Sequence, residues 1–111
     1  MEQQVNDVIE VTVEELEKHI ADMGAVRKLV ETKEWKRVID ELYFEEEAIR
    51  LVNASGNLAL TPDQKGNIMG MMAGIPFLKS FVNRVIATGA QAEQDLKDYE
   101  EESAAAVMEV N

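Results

Sequence analysis

The sequence predicts an all-α protein: a two-helix N-terminal hairpin packed on a long, kinked C-terminal helix. Three observations carry that expectation. Apolar or small residues keep one heptad phase through the C-terminal half, from Ile68, Met71, Ile75, Leu78, Val82 and Val85 through Gly89, Ala92, Leu96 and Tyr99 to Ser103, Ala106 and Val110. Their steps alternate three and four residues, as in a helix that lays a single seam against a partner. Two capping boxes, Thr12 with Glu15 and Thr61 with Gln64, mark helix starts. No stretch alternates apolar and polar residues for long enough to build a sheet.

Residues 1–11 are polar and then β-branched (Val8, Ile9, Val11), and read as an extended arm ahead of a single helical domain at 12–111. The first helix is expected at 12–31, with Val11 and Leu16 forming the staple that accompanies its capping box. Its apolar face runs Val13, Leu16, Ile20, Met23 and Val30, with Arg27 where an apolar residue was due, a place for a seam-edge side chain with a buried stem. The second helix, starting near Thr32, is expected at 33–54. Trp35, Val38, Ile39, Leu42, Ile49 and Val52 make its face, broadened by Tyr43, Phe44, Ala48 and Leu51, which marks it as the core helix. Glu46 precedes Arg50 by four residues and lies in reach of it. Ala54-Ser55-Gly56-Asn57 closes the helix, with Gly56 or Asn57 suited to the left-handed capping conformation.

The third helix is expected at 62–108. Pro62 takes its first position and Asp63 faces the positive end of the dipole. Pro76 removes a backbone hydrogen bond and crowds the carbonyl of Met72, so a kink is expected near Gly74, while Gly89 offers a hinge. The heptad phase is the same on both sides of each. That continuity favours one kinked helix over a chain reversal at Gly89. Such a helix reaches about 60–70 Å at 1.5 Å per residue. The rest of the chain is expected to be too short to cover it, which leaves part of the seam for another molecule.

Composition narrows the function. With 22 acidic and 11 basic residues the net charge is −11, which argues against a general nucleic-acid or anionic-membrane surface and permits a basic partner. There is no cysteine, so disulfides and thiolate zinc sites are excluded and a reducing compartment fits. The N-terminus lacks the basic and apolar regions of a signal peptide, and the longest uncharged run, Gly66 to Leu78, is too short to span a bilayer. A host-cytoplasm or virion location without membrane contact is the expectation.

Chemistry finds little support. His19 is the only histidine, with Glu15 four residues before it, and two ligands do not make a metal site. The Glu-x-x-Glu half of a magnesium-dependent nucleotide pyrophosphatase occurs twice, at Glu14–Glu17 and Glu31–Glu34, but no Glu-x-x-Asp follows either. No phosphate loop and no nucleophile with a base are present. No catalytic residue, no metal and no cofactor is expected. Gly66, Gly70 and Gly74, spaced by four among methionines, suit either internal packing or a docking face for a second helix. Glu93, Asp95, Asp98, Glu100, Glu101 and Glu102 make an acidic stretch, either a solvated face or a ligand for a basic surface.

The segments Trp35-x-x-Val38, Tyr43-Phe44-Glu45-Glu46-Glu47-Ala48-x-Arg50-Leu51-Val52 and Gly74-Ile75-x-x-Leu78-x-x-Phe81-x-x-Arg84-x-Ile86-x-x-Gly89-x-x-Ala92 resemble small helical proteins encoded by tailed bacteriophages, over residues 29–99. Pro76 and the glycine triplet depart from the regular long helix of that pattern. The resemblance implies a virion-associated or assembly role. The expected function is therefore a non-catalytic assembly protein that forms a homo-oligomer, or binds another phage protein, through Leu78, Val82, Val85, Leu96 and Tyr99. The alternative is an acidic inhibitor of a host protein, one that itself binds nucleic acid being the natural target.

Overall fold

The computed structural model describes the backbone of residues 2–110 and the side chains of residues 12–106, and every regular element among them is helical. Helix α1 spans Glu2–Val30. It starts well before Thr12, so the segment read as an extended arm is helical where its backbone is described. Val5, Val8, Ile9 and Thr12 recur at helical spacing. Extending an existing helix through them needs only propagation, whereas a separate helix would need a new nucleus. The Thr12–Glu15 capping sequence therefore stands inside a helix rather than at its start.

Thr32 closes α1 and opens the next helix with one hydroxyl. It donates to the carbonyl of Leu29 at 2.7 Å and accepts from the amide of Trp35 at 3.1 Å. Helix α2 opens as Lys33–Trp35, winds with the wider i→i+5 hydrogen bonds of a π-helix over Lys36–Glu47, and returns to α geometry over Ala48–Ser55. The wide winding re-phases its faces. Four residues, not three or four in alternation, now bring a side chain back to the same side. Trp35, Ile39, Tyr43, Phe44, Ala48 and Leu51 turn inward, while Val38, Leu42, Ile49 and Val52, expected on the buried face, are exposed. The ion pairs follow the same geometry. Arg37 donates to Glu41 at 2.9 Å and to Glu46 at 3.3 Å, nine residues on. Nine residues of α-helix, at 3.6 per turn, would place those two side chains on opposite sides. With Glu46 drawn to Arg37, Arg50 pairs with Glu47 instead of the expected Glu46.

α2 ends without a left-handed residue, contrary to expectation; Gly56 keeps a right-handed φ of −80°. Tightened last-turn bonds, Gly56 N–H to Asn53 at 3.3 Å and Asn57 N–H to Ala54 at 3.2 Å, satisfy the terminal carbonyls instead. Helix α3 spans Pro62–Val110. Its capping box forms as expected: the Gln64 amide donates to the Thr61 hydroxyl at 3.2 Å and the Thr61 amide to the Gln64 side-chain oxygen at 3.0 Å. The helix is unbroken through Pro76 and Gly89, so the chain does not reverse at Gly89.

The chain forms two compact units, one joining α1 up to Arg27 with α3 from Arg84 onward, the other holding residues 28–83. In the first, α1 runs antiparallel to the C-terminal half of α3: Met23 meets Gly89, and Leu16 lines a groove with Ala92 and Asp95. Met23 and Ala92 are its buried centre. In the second, α2 packs on the N-terminal half of α3, with Leu51 and Ile75 buried. Lys79 Nζ stands 4.8 Å from the centre of the Phe44 ring, a cation–π contact, and Tyr43 lies beside Phe44 with ring centres 5.8 Å apart. Each half of α3 thus has a helix of the same chain packed against it, while Met71, Tyr99, Ser103 and Ala106 of the seam stay exposed.

Candidate interaction surface

The seam residues Leu78, Val82, Val85 and Leu96 are half-buried, and Tyr99 is 37% exposed. Their own chain therefore covers a large part of the surface they were expected to offer. Four glycines of α3 divide by role. A side-chain carbon at Gly89 would collide with Met23 and come within 2.9 Å of the His19 carbonyl, so this position lets two backbones approach. It works as a crossing point within an unbroken helix. A carbon at Gly74 would sit 3.2 Å from the Tyr43 hydroxyl, and Pro76 follows on an exposed position. Gly66 and Gly70 face open space, with nothing within 4 Å.

His19 is half-buried at the α1–α3 crossing. Its side chain lines two shallow grooves, one with Gln91 and Asp95 and one with Asp22 and Arg84. Among the described residues no group of three or more His, Asp or Glu side chains is placed to hold a metal ion. The acidic residues Glu93, Asp95, Asp98, Glu100, Glu101 and Glu102 are all exposed. Gln91 donates to Asp95 and Gln94 to Asp98, each at 2.9 Å, so two of these carboxylates are held by amides one turn earlier. Negative charge here stays on the surface.

Exposed apolar surface concentrates in the unit of residues 28–83. On α3 it comprises Met69, Met71, Phe77 and Phe81, with Phe77 73% exposed; α2 adds Val38, Leu42, Ile49 and Val52, and the loop adds Leu58 at 96%. Isolated exposed apolar residues are ordinary; large side chains gathered on one helix make a candidate surface for association. Comparison with protein-family models, curated proteins and solved structures finds no match to this chain. The functional reading therefore rests on its own geometry. No described helix is long and apolar enough to cross a membrane.

Phe77 was not singled out from sequence, and Phe81 only as part of the phage-like pattern. The signal was present: the uncharged run from Gly66 to Leu78, once helical, must turn apolar side chains to every side. One side packs on the protein and the other is left facing water.

Proposed function

We propose that this chain is a non-catalytic assembly protein that self-associates through α3. The observation that carries the reading is the apolar surface left exposed on α3 by Met69, Met71, Phe77 and Phe81 in a chain of net charge −11. Leu78, Val82, Val85, Leu96 and Tyr99 contribute the portions that their own chain leaves uncovered. The resemblance of residues 29–99 to small proteins of tailed bacteriophages supports a virion-associated or assembly-accessory role, with a second copy or another phage protein as partner. Light scattering after size exclusion, over a hundredfold range of concentration and at two salt concentrations, tests it. A defined oligomer that persists in high salt is expected, because apolar contacts are not screened. A monomer under all those conditions overturns self-association.

The exposed acidic stretch from Glu93 to Glu102 favours a second reading, an acidic inhibitor that engages a basic cleft on a host protein. Reversing Glu100, Glu101 and Glu102 to lysine would then abolish capture of that partner, and salt would weaken it steeply. Capture that survives the reversal removes this reading.

A further inference from the structure

The winding of residues 36–47 is the least ordinary feature of the fold. π-helical hydrogen bonding is rare and mostly confined to single turns, whereas here it runs for 12 residues with α geometry on both sides. The sequence shows what an uninterrupted α-helix would do in its place. Counted from Trp35 in steps of four and three, the inward positions would be Ile39, Leu42, Glu46, Ile49 and Asn53, with Val38 and Val52 at the edge. Large apolar side chains make up most of that seam, and Glu46 stands in its middle. A carboxylate carried into a helix contact loses its water, which is costly even with a partner at hand. The π winding avoids this. Glu46 is exposed and accepts from Arg37 at 3.3 Å, while Tyr43, Phe44, Ala48 and Leu51 turn inward in place of Leu42 and Ile49.

We propose that α2 is a two-state winding element and that the charge of Glu46 holds it in the π form. In the second form residues 33–55 make one α-helix. Trp35 and Ile39 stay inward, Leu42 and Ile49 turn in, and Phe44, Ala48 and Leu51 turn out. Glu46, one turn before Arg50, then exchanges Arg37 for Arg50 as its partner. This accounts for the apolar side chains that the π form leaves in water: Val38, Leu42, Ile49 and Val52 are the face of the second form. Two apolar faces on one helix, with a single carboxylate to choose between them, are what a conformational switch requires.

Substitution of Glu46 in the full chain tests it. Glu46→Leu completes the α seam and is expected to convert the helix. Amide-to-carbonyl couplings measured by NMR across the hydrogen bonds of residues 36–47 should run i→i+5 in the wild type and i→i+4 in the variant. Thiol labelling gives a second readout, because the chain has no cysteine of its own. Leu51→Cys, buried in the π form, is reached only through a minor state; adding Glu46→Leu should speed its modification by at least about tenfold. Ile49→Cys, exposed in the π form, should slow when Glu46→Leu is added. Opposite changes at 49 and 51 separate rewinding from unfolding, which would speed both. Ala48→Cys replaces Leu51→Cys should the latter melt early, and Glu46→Gln repeats the test with smaller changes of the same sign. A Glu46→Leu chain that keeps i→i+5 bonds and leaves both thiol rates unchanged overturns the proposal. So does one in which both thiols react faster, or a wild type with i→i+4 bonds throughout 36–47.

Discussion

At the scale of single residues, identical side chains do different work according to what lies across from them. Gly89 sits where Met23 and the His19 carbonyl would meet a new side-chain carbon, whereas Gly70 has nothing within 4 Å. Gly89→Ala is therefore expected to be destabilising overall, since overpacking costs about 1–3 kcal/mol and the gain in helix propensity is at most about 1 kcal/mol. Gly70→Ala, measured in dilute protein, should gain up to about 1 kcal/mol. Urea denaturation of both variants decides it; equal shifts would mean that the α1–α3 crossing is not where the structure puts it. A second residue-scale effect is electrostatic. The hydrogen bond from Arg50 holds the Glu47 carboxyl below the usual glutamate range. A depressed folded value means that the contribution is complete above the unfolded pKa and lost as pH falls through the folded one. Stability measured against pH should show that acid-side loss, and Arg50→Gln should diminish it. Arg50 is exposed and Glu47 only half-buried, so the effect is small.

At the scale of elements, helix existence and most ends were legible. Thr61, Pro62 and Gln64 mark the start of α3 chemically, because the side-chain oxygens satisfy amides that no helix can satisfy internally. The start of α1 was not legible, since a capping sequence does not act as a boundary when helical residues precede it. The buried side of α2 was not legible either. Its sequence offers two apolar faces, Val38, Leu42, Ile49 and Val52 or Ile39, Tyr43, Ala48 and Leu51, and the winding chooses between them. The ion pair between Arg37 and Glu46 is the side-chain mark of that winding. A double-mutant cycle of Arg37→Ala and Glu46→Ala is expected to show a coupling that falls with added salt. No coupling at low salt would mean that 36–47 winds as an ordinary α-helix with the two side chains apart.

At the scale of the whole molecule, the balance of charge dominates. The ion pairs of Lys36, Arg37 and Arg50 with Glu31, Glu41, Glu46 and Glu47 lie on α2 or reach just before it, and each has an exposed cation. Such pairs contribute little, whereas an acidic surplus on this scale repels itself in the folded state. Moderate salt is therefore expected to raise the melting temperature by screening repulsion more than it weakens those pairs. A melting temperature that falls steadily with salt would show the pairs to outweigh the surplus. The distribution of charge also explains where association can occur. In the self-association proposed above, the charge-poor, apolar part of α3 is where two copies would meet with least repulsion.

The all-helical class, the extent of α2 and α3 and the capped start of α3 were determined by the sequence, because periodicity and capping are local properties that each segment carries within itself. Tertiary structure decided which side of each helix is buried. It set the winding of α2, turned Gly89 from a candidate hinge into a close crossing with Met23, and matched α1 to the C-terminal half of α3. It also left Phe77 outside. These outcomes depend on which surface is opposite, and no segment of the chain contains that information alone.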